Sequence, residues 1–195
     1  TPPTAPTITP GGPTTFCAGG SVTLTSSAGT SYLWSNGATT ASINVTTSGS
    51  YTVQVTNASG CQSVASAATS VTVNALPAAP TITPGGPTTF CAGGSVTLTS
   101  SAGTAYLWSN GATSASINAT TSGSYTVQVT NPAGCLSPAS ASTTVTVNTA
   151  PSAPTITAGG PTTFCAGGSV TLTSSAGTTY LWSPGGATSS SISAT

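Results

Sequence analysis

Five cysteines are the side chains of this 195-residue chain best suited to covalent chemistry. Cys17, Cys91 and Cys165 stand 74 residues apart, and the same interval separates Cys61 from Cys135. Little else could react. Lys, Arg, Asp, Glu and His are all absent, so no group titrating near neutrality is there to serve as general acid or base. The Ser and Thr hydroxyls therefore have nothing to activate them as nucleophiles. No catalytic residue is expected, and the chain is not expected to be an enzyme. Cofactor and metal sites are not expected either, because calcium needs carboxylates and zinc needs His or clustered Cys. No basic patch exists to meet phosphate, which excludes nucleic acid and anionic membrane surfaces as partners. No apolar run approaches the roughly 18–20 residues of a membrane span, so membrane insertion is not expected. What the cysteines can do is pair. Paired cysteine points to an oxidising setting: extracellular, on a cell surface or secreted.

The elements that must position these cysteines come in copies. TTFCAGGSVTLTSSAGT occupies residues 14–30, recurs unchanged at 88–104 and stands a third time at 162–178. Trp34, Trp108 and Trp182 keep the same interval. A period of this size means that one unit, once read, describes the whole chain. The Pro-rich stretches 1–6, 76–80 and 150–154 read as linkers. They divide the chain into repeat 1 with its N-terminal linker (1–77), repeat 2 (78–151) and an incomplete repeat 3 (152–195). The third lacks counterparts of residues 50–73, so its core is expected to be open. It reads as a window on a longer array, with completion by a strand from another subunit as the other reading. Thr1 is accordingly expected to begin a mature fragment or an internal segment.

Within one repeat the hydrophobic period is two, the period of strands. Residues 21–27 (SVTLTSS) alternate Val22 and Leu24 with Thr23 and Thr25. Tyr32 and Trp34 share a face, as do Ile43 and Val45. Tyr51, Val53 and Val55 point opposite to Thr52, Gln54 and Thr56, and a last strand carries Val71 and Val73. The expected core is therefore Val22, Leu24, Trp34, Ile43, Tyr51, Val53, Val55, Val71 and Val73, with Trp108, Tyr125 and Trp182 as repeated counterparts. Asn36-Gly37 is a strong hairpin signal, because both residues tolerate positive φ. About seven short strands at regular spacing, each with one apolar face, predict an all-β sandwich. With zero net charge no repulsion keeps copies apart, so self-association is expected to be easy.

These residues also resemble a known family. Gly20-Ser21-Val22-Thr23-Leu24-Thr25 resembles the B strand of immunoglobulin-type domains. Tyr32-Leu33-Trp34 resembles the C strand with its core tryptophan, and Ser48-Gly49-Ser50-Tyr51-Thr52-Val53 the start of strand F with its corner tyrosine. The Phe-Cys-x-Gly-x-Ser-Val-Thr-Leu opening and the Asn-x-x-Gly-Cys turn are similar to tandem Ig-like and PKD-like repeats of large secreted surface adhesins or filaments of Bacteroidota-type bacteria. The resemblance implies tandem Ig-like β-sandwich repeats of about 74 residues. It also implies a departure, because the mid-strand cysteine positions of an immunoglobulin domain are held here by Ser26 and Val53.

In that fold strands B and F run the same way, so Cys17 before B and Cys61 after F lie at opposite ends of one sandwich. Seven residues of strand span about 23 Å, whereas a disulfide needs Cα atoms within about 7 Å. In a head-to-tail stack the A–B loop of one repeat meets the F–G loop of the next. The resemblance thus implies a Cys17–Cys135 bond, leaving Cys61 free or to a preceding repeat and Cys91 and Cys165 to later ones. An intra-repeat bond through a different topology, and free thiols or bonds between chains, stay open.

The function expected on these grounds is structural: a repeat segment of an extracellular stalk or filament, a surface adhesin or fibre, providing spacing and mechanical strength. Its partners would be neighbouring repeats or further copies of itself. The alternative is a multivalent adhesive module that binds glycans or neighbouring cells by avidity. The tryptophans could stack on sugars, but a strand-C tryptophan belongs to a core. Asn44, Asn57 and Asn118 stand in Asn-x-Ser/Thr sequons, and the abundant Ser and Thr could carry O-linked glycans.

Overall fold

The computed structural model describes all 195 residues and divides them into two compact units, Thr1–Asn148 and Thr149–Thr195. The first unit contains repeats 1 and 2. Repeat 1 folds into β1 (Ile8–Pro10), β2 (Thr15–Cys17), β3 (Val22–Ser26), β4 (Ser31–Trp34), β5 (Ser42–Val45), β6 (Gly49–Tyr51), β7 (Val53–Thr56) and β8 (Thr69–Asn74). Repeat 2 forms β9 (Ile82–Pro84), β10 (Thr89–Cys91), β11 (Val96–Ser100), β12 (Ala105–Trp108), β13 (Ser116–Ala119), β14 (Gly123–Tyr125), β15 (Val127–Thr130) and β16 (Thr143–Asn148). One layer of repeat 1 is the antiparallel sheet β1-β3-β5. The facing layer is β2-β8-β6 together with the pair β4-β7. Here β2 runs parallel to β8, while β6–β8 and β4–β7 are antiparallel. Repeat 2 reproduces the arrangement strand for strand. This is an Ig-like sandwich in which β6 and β7 are one F strand, interrupted at Thr52. Thr52 stays tied to Ser35, whose N–H donates to the Thr52 carbonyl at 2.9 Å.

Alternation in sequence becomes alternation in burial. Along β3 the alternate residues Val22, Leu24 and Ser26 are buried and the Thr residues between them exposed. Trp34 is 2% exposed while its neighbour Leu33 is 45% exposed. Leu24, Ile43, Val45, Tyr51, Val53 and Val71 close around Trp34, and the second repeat repeats the cluster around Trp108. Val55 is buried, whereas Val73 is half-buried at the margin of the core rather than inside it. The indole Nε1 of Trp34 donates to the Thr40 carbonyl at 2.8 Å, so this large ring is buried with its polar atom satisfied. Tyr51 closes the corner before strand F by donating its hydroxyl to the Thr47 carbonyl at 3.1 Å, the tyrosine-corner device of Ig-like sandwiches.

Two expectations change. Asn36-Gly37 does form a turn, with Gly37 N–H donating to the Trp34 carbonyl at 2.9 Å. It does not make a hairpin, because β4 pairs with β7 and β5 with β3, so the chain crosses between layers there. Gly37 alone takes positive φ (86°), and no residue other than glycine does. The primed turn that twists two strands into a hairpin needs positive φ at both central residues, and Asn36 does not supply it. The second change concerns Cys17, which ends a strand of its own instead of lying in a loop. β2 has three residues, too few to show an alternation, and exists because β8 offers it an edge.

The long connection from β7 to β8 covers the open edge of β7. Ser63 and Ser66 act as substitutes for strand residues. Val55 N–H donates to Ser63 Oγ at 3.0 Å and Val53 N–H to Ser66 Oγ at 3.1 Å, while the backbone N–H groups of both serines donate back to Val55 and Val53. Ser137 and Ser140 do the same for β15. Removing one hydroxyl leaves a buried backbone N–H without a partner, which costs about 1–3 kcal/mol. Ser137→Ala should therefore lower the urea midpoint of unfolding by that equivalent, whereas Ser116→Ala, at an exposed strand position, should not. Equal midpoints for the two variants would remove the edge-covering role.

The second unit holds β17 (Ile156–Ala158), β18 (Val170–Ser174) and β19 (Ser191–Ala194) in one antiparallel sheet. Val170 and Trp182 are buried, but Leu181 is 81% exposed and Ile156 61% exposed. An open concavity there is lined by Pro154, Ile156, Tyr180 and Trp182. None of the strands in this unit is a counterpart of β6, β7 or β8.

Candidate functional site at the junction of two repeats

Cys17 is delivered to the end of the first sandwich by strand pairing. In the β2–β8 register Cys17 stands opposite Asn74, the last residue of β8, and Ala18 N–H donates to the Asn74 carbonyl at 2.8 Å. The chain then turns back at once, with Gly20 N–H donating to the Cys17 carbonyl at 3.0 Å. The Ala-Gly-Gly that follows the cysteine is thus the turn that leaves it at the sandwich end from which the linker departs.

Cys135 is held at the facing end of the second sandwich by Asn131. The Asn131 side-chain oxygen accepts from Ala133 N–H at 3.1 Å and from Cys135 N–H at 2.9 Å. Asn131 N–H donates to the Cys135 carbonyl, and Gly134 takes φ of 80° to close the loop. The Asn131 side-chain nitrogen donates to the carbonyl of Ala75, in the linker that enters the repeat, at 3.0 Å. One asparagine therefore shapes the cysteine loop and fastens the incoming chain.

The structure joins Cys17 to Cys135 across 118 residues of sequence, with Cα atoms 5.6 Å apart. Cys135 is fully buried and its sulfur lies 4.0 Å from the Asn74 carbonyl oxygen. No intra-repeat bond forms, and Cys61, Cys91 and Cys165 are free. The free cysteines repeat the two halves of the junction. Cys61 sits in a loop shaped by Asn57, whose side-chain oxygen accepts from Ser59 and Cys61 N–H and whose side-chain nitrogen donates to the Thr1 carbonyl at 3.0 Å. Cys91 ends β10 opposite Asn148. Cys165 is exposed in the second unit.

The remaining candidates lie elsewhere. Trp34 and Trp108, each 2% exposed, offer no face to a sugar, and Trp182 is buried at the wall of the concavity in the second unit. Asn44 and Asn118 are exposed on strands, but both side-chain atoms of Asn57 are engaged in its loop. No group of three or more His, Cys, Asp or Glu side chains is gathered for a metal, and no helix is long and apolar enough to cross a membrane. Asn57 and Asn131 open the Asn-x-x-Gly-Cys turns, and their part in shaping the cysteine loops is what composition and periodicity do not show. The spacing Asn-x-x-x-Cys in repeats 1 and 2 was the available signal.

No protein-family model and no curated protein matches the chain. Among solved structures, the human OSCAR ligand-binding domain is similar over 73% of this chain and 98% of its own, at 14% identity and a TM-score of 0.32. One chain of the crystal structure of a mouse coronavirus receptor-binding domain complexed with its murine receptor is similar over 73% of this chain and 99% of its own, at 16% identity and a TM-score of 0.39. At these TM-scores neither likeness bears on what the chain binds or does.

Proposed function

We propose that this chain is a structural segment of an extracellular stalk or filament, built from tandem Ig-like sandwiches of about 74 residues that set spacing and bear load. The observation that carries this reading is the Cys17–Cys135 bond, which couples the far end of one sandwich to the near end of the next. A linker alone would leave two sandwiches free to swing. A linker plus a disulfide, with Asn131 fastening the linker itself, leaves little room for bending. Both halves of the coupling recur with the sequence period, in Asn57 with Cys61 and in Cys91 at the end of β10. A disulfide also supports an oxidising, extracellular location.

Electron microscopy of the oxidised chain tests the proposal. Repeats 1 and 2 should keep one angle across particles, and that angle should broaden when Cys17 and Cys135 are both replaced by alanine. A broad distribution in the oxidised chain would remove the stalk reading. Saturable binding to a glycan array by such a flexible chain would favour the adhesive module.

A further inference from the structure

The disulfide does more than hold two sandwiches together, because of where each half enters its repeat. In repeat 1 the chain begins at the F–G end, where Thr1 meets Asn57, and Cys17 lies at the opposite end beside Asn74. In repeat 2 Cys135 lies at the F–G end and Asn148, paired with Cys91, at the opposite end. Each sandwich is therefore crossed from end to end by one short covalent segment: residues 1–17 in the first and 135–148 in the second. These segments contain β1 and β2 in one repeat and β16 in the other. Strands β3 to β15, including the tryptophan strands β4 and β12, lie inside the closed loop between the two sulfurs, whereas β16, outside it, carries the core residue Val145.

We infer that the Cys17–Cys135 bond is a load bypass: tension along the chain runs through residues 1–17, the disulfide and residues 135–148, and leaves the strands that carry Trp34 and Trp108 outside the load path. The loaded strands are pulled along their own length. β2 is held along that length by β8, and β16 by β10 and β14. The enclosed residues add nothing to the reach of the stretched chain. A fully extended chain spans about 3.3–3.6 Å per residue, so the 118-residue separation between the cysteines conceals about 400 Å of extension. Reduction would release it, which makes the extensibility of the segment redox-dependent. The inference gives the load-bearing reading its mechanism and rests on it for biological meaning. The load path itself is a property of this chain whether or not the segment belongs to a filament.

Single-molecule stretching of the full chain between its termini tests it, with Cys61, Cys91 and Cys165 replaced by serine to prevent other pairings. The oxidised chain should extend about 400 Å less than the same chain carrying Cys17→Ala and Cys135→Ala. No single release in it should be as long as a whole repeat, whereas the alanine variant should give such releases. Reduction of the disulfide by a dithiol, which becomes a cyclic disulfide and leaves two thiols, should match the variant and guards against a folding defect in it. Equal extensions, whole-repeat releases in the oxidised chain, or a peptide map joining Cys17 to any cysteine other than Cys135 would each overturn the bypass. Fixed-angle particles combined with equal extensions would sink the bypass alone. A flexible junction with concealed length would sink the stalk reading alone.

Discussion

Replacing Trp34 by alanine should cost repeat 1 about 3–5 kcal/mol, the range for emptying an aromatic site in a packed core. The indole is 2% exposed, touches both layers of the sandwich and satisfies its N–H on Thr40. Little can collapse into the space, since the surrounding Leu24, Ile43 and Val53 are themselves held by strand pairing on β3, β5 and β7. Small domains have total stabilities of about 5–15 kcal/mol, so one such change should bring a repeat of this size close to unfolding. Leu33→Ala, one residue away and 45% exposed, should stay within about 0.5 kcal/mol of the parent. Urea titrations followed by circular dichroism measure both. A near-neutral Trp34→Ala, or a Leu33→Ala as costly as it, would invert the faces assigned to β4.

Removing the junction disulfide should have the next largest effect. Cross-linking residues this far apart in sequence restricts the unfolded chain severely, and the loop-entropy account places the stabilisation at about 5 kcal/mol for a loop of this length, less any native strain. Cys17→Ala, Cys135→Ala and the pair should lower thermal stability by similar amounts, because either single change already breaks the bond. Alanine is preferable to serine at position 135, where a hydroxyl would be fully buried. Cys91→Ala, at an exposed and unpaired cysteine, should leave the melting temperature within a degree or two of the parent. If the single and double variants differed widely, or if Cys91→Ala matched them, the bond would not be the source of the stability. The expected loss concerns the junction and the two repeats together. The core hydrogen bonds of each sandwich, such as Tyr125 to the Thr121 carbonyl, do not pass through it.

Much of each sandwich was legible in the order of residues, for a definite reason. A strand with one buried face writes its burial into the sequence with period two, so Val22 and Leu24, or Val53 and Val55, declare their face without reference to any partner. The absence of every charged side chain likewise set, by residue type alone, the expectation that catalytic and metal chemistry is absent. What stayed illegible was relational. Asn36-Gly37 announces a turn, but whether the strands on either side pair with each other depends on β7 and β3, which lie elsewhere in the chain. β2 carries no periodic signal and is a strand only because β8 offers it an edge. Ser63 and Ser137 look like ordinary loop serines until β7 and β15 present N–H groups that need an acceptor. The cysteines show the division most clearly. Their types and spacing determined that the chain could cross-link in a repeating pattern, and several pairings were compatible with that. Only the tertiary structure brings the end of β2 against a loop shaped by Asn131, from residues 118 apart in sequence. Burial is a property of one residue and its neighbours along the strand, while a covalent partner is chosen by the distance between two folded surfaces.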